Sequence, residues 1–251
     1  MKSFVVLLVG FALVVACGAN ATSSPAANSS AAPAPVTKYR NTLPGLNAGV
    51  AIDLTQSVID FAPGAASVVH THNSPNLATV LQGQITVKVP DADRQVTAGQ
   101  MVVEPINEPL QAVNSGSGEA MVVVAFVVPH GAKPTTPVAG KPAPSILNKT
   151  AFTVTLPLPS VSGGYSIVQQ VLDFAPGSQT PVHRHGGPGV ITVLQGRLTL
   201  SRDGVETNYS AGESFAEVPG EKLQASNHGS SNVVIAATFL LPDGAQLTTN
   251  V

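Results

Sequence analysis

The sequence predicts an all-β chain organised as two successive β-barrels. Three observations carry that prediction: a composition suited to turns, short β-rich runs at even spacing, and an internal repeat. Tryptophan is absent, aromatic residues make up 4% of the chain, and 21 Pro accompany 23 Gly among 251 residues. Such a composition suits many short strands joined by tight turns. Runs at 85–89, 101–103 and 121–128 are rich in Val, Ile and Met. Clusters of Gly, Pro, Asn and Asp separate them at roughly ten-residue spacing, the pattern of a sandwich or barrel.

The repeat is exact in register. His70 matches His183, Gly83 matches Gly196, Gly99 matches Gly212 and Asn114 matches Asn227, all at an offset of 113 residues without insertion or deletion. Asp60-Phe61-Ala62-Pro63-Gly64 returns as Asp173-Phe174-Ala175-Pro176-Gly177, and Thr79-Val80-Leu81-Gln82-Gly83 as Thr192-Val193-Leu194-Gln195-Gly196. A duplicated domain is the direct reading. The expected division is a signal segment at 1–17, an Ala/Ser/Pro-rich tether at 18–36, a first barrel at 37–136, a Pro-rich linker at 137–149 and a second barrel at 150–251.

Lys2 followed by an apolar run from Phe4 to Ala16 has the layout of an export signal. Val14-Val15-Ala16-Cys17 resembles the bacterial lipoprotein signal, in which the cysteine is lipidated; the alternative is cleavage after Ala19-Asn20-Ala21, which leaves no anchor. Either way the expected location is extracellular or in the cell envelope, and a membrane enters only through an anchor at Cys17. A lone cysteine makes no disulfide within the chain. Charged residues are 10% of the total and the net charge is −2, which excludes the electrostatic footprint of a nucleic-acid binder. There is no Gly-x-Ser-x-Gly elbow and no Gly-rich phosphate loop, so hydrolase and nucleotide-binding readings lose support. The absence of Trp argues against stacking on sugars.

The candidate chemistry lies in two His-x-His pairs, His70/His72 and His183/His185. Side chains two apart on a strand share a face, so both imidazoles of a pair enter the barrel together. Gly64, His70-Thr71-His72 and Gly83, with the second set Gly177, His183-Arg184-His185 and Gly196, resemble the first motif of the cupin superfamily. Gly99, Pro105 and Asn114, with Gly212, Gly220 and Asn227, resemble its second motif. The resemblance implies a tandem bicupin of jelly-roll barrels, and in metal-binding members a site of three His and one Glu. Here Asn76 and Gly189 stand in the Glu place, and Leu110 and Leu223 in the place of the third His.

A site holding iron, manganese, nickel or zinc is therefore one reading of His70, His72, His183 and His185, with Asn76, Gln111 and Gln224 as supplementary ligands. For the glutamines a β-bulge is needed, because a period of two sends Leu110 and Gln111 to opposite faces. The other reading is a polar patch in an apolar pocket with no ion. The run Gly186-Gly187-Pro188-Gly189 predicts a roomier mouth in the second barrel. Glu104 with Glu217 and Glu108 with Glu221, shared by both copies, are proton-donor candidates if they reach the cavity, but surface or turn positions are the expectation; His130 and His228 are expected in solvated loops. Three functions remain open: a binder of a small molecule with degenerate metal sites, a metal-dependent dioxygenase, decarboxylase or isomerase, and an assembly protein whose arms at 37–43 and 150–156 lend strands to a neighbouring barrel or a second chain.

Overall fold

The computed structural model describes residues 32–47, 49–159 and 163–251. The signal segment, Cys17 and the tether up to residue 31 lie outside the described residues. Among the described residues all the elements are strands. In the first half they are β1 (Val36–Asn47), β2 (Ile52–Phe61), β3 (His70–Thr71), β4 (Asn76–Gln82), β5 (Gln84–Lys88), β6 (Asp93–Thr97), β7 (Met101–Val102), β8 (Gln111–Val113), β9 (Ala120–Pro129) and β10 (Thr136–Pro137). The second half repeats them as β11 (Lys149–Leu158), β12 (Gly164–Phe174), β13 (His183–His185), β14 (Gly189–Gln195), β15 (Arg197–Arg202), β16 (Val205–Ser210), β17 (Ser214–Glu217), β18 (Leu223–Ser226), β19 (Val233–Pro242) and β20 (Thr248–Asn250).

In each barrel a second set of strands, β6-β5-β8 with β10-β3 in the first and the five-stranded β16-β15-β18-β13-β20 in the second, faces a five-stranded sheet whose edge strand is supplied by the other half of the chain. The orders are β11-β2-β9-β4-β7 in the first barrel and β1-β12-β19-β14-β17 in the second. β1 runs antiparallel to β12, with Arg40 opposite Gln170, and β11 runs antiparallel to β2, with Thr155 opposite Thr55. The arms do lend strands, between the two barrels of one chain. This exchange covers an edge that would otherwise offer unpaired N–H and C=O groups to another molecule.

The alternation of strand faces builds two kinds of core. Ile59 and Phe61 point into their own barrel, whereas Ile52, Leu54 and Val58 on the opposite face of β2 point at the other one. Ile52, Leu54, Leu77, Ala125 and Val127 pack there against Tyr165, Ile167, Val190 and Leu240. Both faces of the central strands are thus covered, which accounts for the unbroken apolar run of β9. Polar groups also cross between the two sheets: Asn41 of β1 donates from Nδ2 to Thr79 Oγ1 of β4 at 2.9 Å. Gln56, 1% exposed, donates from Nε2 to Thr192 Oγ1 at 2.8 Å and accepts on Oε1 from the Thr238 hydroxyl at 2.6 Å.

Two repeated motif residues have clear structural work. Gly83 and Gly196 take φ of 71° and 80° in the β4–β5 and β14–β15 turns, and a Cβ would stand 2.6 Å from Glu119 O and 2.7 Å from Asn232 O. Asn114 and Asn227 are buried and tie the loops before β9 and β19 to the ends of β2 and β12. Asn114 Nδ2 donates to Phe61 O and Gly118 O, and its Oδ1 accepts from Gly116 N. Asn227 repeats the arrangement with Phe174 O, Ser231 O and Gly229 N.

Candidate metal and ligand site

The two His-x-His pairs sit on β3, with His72 directly after its end, and on β13, and turn inward as period-two geometry requires. His70 and His72 are 7% and 1% exposed, and His183 and His185 are 6% and 8% exposed. Within each pair the Nε2 atoms face each other, at 3.2 Å in the first barrel and 3.1 Å in the second.

The opposite ring nitrogens decide what those Nε2 atoms are. His70 Nδ1 lies 2.8 Å from Val68 O and His72 Nδ1 lies 2.9 Å from Pro134 O. A carbonyl oxygen only accepts, so both Nδ1 atoms carry the proton and donate. In a neutral ring that leaves both Nε2 atoms as lone-pair acceptors. The second barrel repeats this with His183 Nδ1 donating to Pro181 O at 2.9 Å and His185 Nδ1 to Leu247 O at 2.8 Å. Two facing acceptors at this separation repel unless a cation lies between them, and that cation is either a proton or a metal ion.

A carboxylate completes each cluster. Glu104 Oε2 stands 3.0 Å from His72 Nε2, and Glu217 Oε2 stands 3.0 Å from His185 Nε2. Both glutamates are buried, at 7% and 5% exposure. The expectation that they occupy surface or turn positions is therefore wrong. The signal was present in the period: Val102 is buried, Glu104 follows it by two residues, and both copies keep the acid at the same offset.

The clusters are asymmetric in charge. Burial works against protonating His72, but the hydrogen bond and negative charge of Glu104 outweigh it and raise its pKa above 6.5. For His70 burial is the main influence, and with the charge of His72 it lowers the pKa despite the Val68 carbonyl. His185 is raised and His183 lowered for the same reasons, with Glu217 in the role of Glu104. Within each cluster a proton is therefore favoured on His72 over His70 and on His185 over His183.

The other candidate ligands fall elsewhere. Gln111 Nε2 donates to Ser67 O at 2.9 Å and Gln224 Nε2 to Thr180 O at 3.0 Å, so both glutamines anchor neighbouring backbone rather than join the histidines. No bulge turns them inward, and Leu110 and Leu223 point into the cores in their stead, 1% and 0% exposed. Asn76 is fully buried, on the strand face shared by Ala78 and Val80, and among the described residues its Oδ1 and Nδ2 have no hydrogen-bond partner. At the matching position a Cβ on Gly189 would come within 2.4 Å of the Phe239 ring, so that ring fills the place of the side chain. The glycine run beside it does not widen the second mouth. A Cβ on Gly186 or Gly187 would lie 2.3 Å from Gln246 O or 1.9 Å from Leu240 O, so these glycines let the C-terminal backbone close in.

His130 is largely exposed but not simply solvated. Its Nδ1 lies 2.8 Å from Asp53 Oδ1, while Gly131 N donates to Asp53 Oδ2 at 2.9 Å. The Gly131 amide, with help from His130 and against the effect of burial, holds the Asp53 carboxyl below its usual range. His228 is exposed, with Nε2 3.0 Å from Ser226 Oγ.

Each cluster opens on a cavity, of about 300 Å³ in the first barrel and about 280 Å³ in the second. The exchanged arms reach both mouths: Leu147, Asn148 and Thr150 line the first, and Ala34, Pro35 and Thr37 line the second. The walls are mainly aliphatic, and neither lining contains a Lys or Arg.

Inward-turned His-x-His pairs in two jelly-roll barrels define the cupin class. The profile of the family described as Cupin domain matches residues 57–126 and 170–239, more than half of the chain. The chain belongs to this family and is a bicupin. A search of curated proteins finds no match. Solved structures agree on the fold: AerE from Microcystis aeruginosa is similar at TM-score 0.52 and 17% identity over 84% of this chain and 98% of its own. A variant of oxalate decarboxylase from Bacillus subtilis is similar at TM-score 0.60 and 14% identity over 86% of this chain and 80% of its own. A further structure of that enzyme, described for its Mn(II) centres, gives TM-score 0.58 and 15% identity over 86% and 80% of the two chains.

Proposed function

We propose that this bicupin binds a divalent first-row transition ion in each barrel, on His70, His72 and Glu104 and on His183, His185 and Glu217, and presents it to a small molecule in the cavity. The observation that carries this reading is the commitment of all four Nδ1–H groups to backbone carbonyls, which aims paired Nε2 lone pairs and a carboxylate at one another. Carbonyl partners on the far ring nitrogen are the usual support of a metal-ligating histidine. Two imidazoles and one carboxylate are also the donor set of open transition-metal sites.

The donor spacing fits as well. Neighbouring ligands bonded at about 2.1 Å stand about 3 Å apart, close to the 3.0–3.2 Å separations in the clusters. Among the described residues no three such side chains are already spread around a common centre. They are closed on one another through the shared proton, so metal binding displaces that proton and competes with it. When bound, the ion supplies Lewis acidity to an oxygen of the ligand. The chain's own residues do the rest: Val68, Pro134, Pro181 and Leu247 hold the imidazoles in one tautomer, and the aliphatic walls keep water from the reacting face.

Metal analysis of the protein purified without chelators is expected to give two ions per chain, and none when His70, His72, His183 and His185 are all replaced by alanine. A metal-free protein that also fails to take up manganese, iron, nickel or zinc on dialysis at pH 8 contradicts the proposal. The apolar run before Cys17 supports a place outside the cytoplasm; fractionation of the producing cells that leaves the protein in the cytosol removes that part of the reading.

A further inference from the structure

The duplication breaks at one inward position beside the clusters. In the first barrel Ala78 pairs with Val102 across β4 and β7, and continuing that register by two residues sets Asn76 opposite Glu104. The second barrel shows the matching pair directly, with Gly189 opposite Glu217. On its other side Asn76 lies opposite Phe126 of β9, whose ring stands 5.3 Å from the His72 ring. Directly opposed side chains on one sheet face have Cβ atoms about 5 Å apart, so the Asn76 amide adjoins the cluster between Glu104 and Phe126.

An amide is costly in this place. It is 0% exposed, and among the described residues neither its Oδ1 nor its Nδ2 has a hydrogen-bond partner. Buried polar groups are nearly always paired, and an orphan in a native structure points to a water, an ion or a functional role. Packing does not require it. The second barrel fills the same place with the apolar ring of Phe239, 4.4 Å from the His185 ring.

We infer that Asn76 Oδ1 is a fourth donor to the ion of the first barrel, and that the two barrels hold their ions unequally, the first more tightly and with a preference for an oxygen-seeking ion such as Mn(II). This deepens the proposed metal binding and rests on it. Coordination gives the orphaned oxygen a partner and so recovers the desolvation cost that the metal-free protein carries. A second oxygen beside the two imidazoles also makes a harder donor set, and oxygen ligands suit Mn(II). The Phe239 ring offers no lone pair, so the second site stays at His183, His185 and Glu217.

Calorimetric titration of the chelator-stripped mature protein with manganese chloride at pH 8 tests this. Two sites are expected, the tighter about tenfold or more ahead of the weaker. His70→Ala/His72→Ala removes the tighter step, and His183→Ala/His185→Ala the weaker one. Asn76→Val is expected to bring the tighter step down to the weaker, whereas Asn76→Asp, which keeps an oxygen at that place, holds manganese at least as tightly as the parent. The reverse exchange, Gly189→Asn with Phe239→Ala, is expected to raise the second site to the level of the first. A readout without metal accompanies these: in chelator, Asn76→Val is expected to raise the melting temperature by about 2 °C or more, because an orphaned amide leaves the interior. Two equal sites, a tighter step lost with the second histidine pair, or unchanged manganese binding in a folded Asn76→Val variant overturns the inference and leaves the proposed metal binding standing. No uptake of manganese, iron, nickel or zinc in either barrel contradicts the proposed metal binding itself, and the inference falls with it.

Discussion

Replacing Asn114 by alanine is expected to destabilise the protein by roughly 3–5 kcal/mol, because it strands several buried backbone groups at once. The Asn114 amide is 0% exposed, donates to Phe61 O and Gly118 O, and accepts from Gly116 N. Alanine leaves those groups without partners in a place that water reaches poorly. A cavity the size of the lost amide adds to the cost. Asn114→Asp is expected to be nearly as damaging, since a carboxylate cannot donate to the two carbonyls. Urea unfolding of the single variants measures the effect, and Asn227→Ala is expected to match it, since the duplicated loop is tied in the same way. A loss below about 1 kcal/mol, the size of one ordinary hydrogen bond, would show that the loops before β9 and β19 do not depend on these side chains.

Replacing Glu104 by glutamine is expected to lower divalent-ion affinity in the first barrel by about 100-fold or more while leaving the second barrel intact, because the site loses its only anionic donor. The same change has a sign-specific effect on the metal-free protein. His72 has a folded pKa raised above its ordinary 6.5. The stability it contributes is therefore fully present below 6.5 and fades as pH rises through the folded value. His70 is shifted the other way: its contribution is present above 6.5 and is lost as pH falls through its lowered folded value. In the Glu104→Gln variant the upward pull on His72 disappears, and the added stability at weakly acid pH is expected to go with it. Thermal unfolding in chelator between pH 5 and 8 reads this directly. A variant whose stability-against-pH curve superimposes on that of the parent would contradict the pairing of His72 with Glu104.

Much of the fold was legible because duplication writes each feature twice. The constant offset, the glycines that close the β4–β5 and β14–β15 turns, and the period-two placement of the histidines all follow from sequence spacing. The exchange of arms was open on sequence grounds. Residues 37–43 and 150–156 are both strand-like, and β2 and β12 offer them similar edges, so local pattern does not choose between a barrel's own arm and its neighbour's. Glu104 and Glu217 were candidates for the cavity but were expected at the surface, for a different reason. A charged residue is usually exposed, and only partnership with an inward imidazole reverses that; the partnership joins strands distant in sequence. The glycine run misled in a third way, since a residue without a side chain can either open space or admit a close backbone, and Gly186 and Gly187 do the latter.

The proposed metal binding in both barrels depends on the direction in which each imidazole presents its lone pair. Long-range proton–nitrogen correlation spectra of the histidine rings, recorded on metal-free protein at pH 8 and again after zinc is added, test it most directly. Nδ1 of His70, His72, His183 and His185 should carry the proton throughout, and all four Nε2 signals should move on zinc addition. Rings protonated at Nε2 with Nδ1 bare, or Nε2 signals indifferent to zinc, would contradict it.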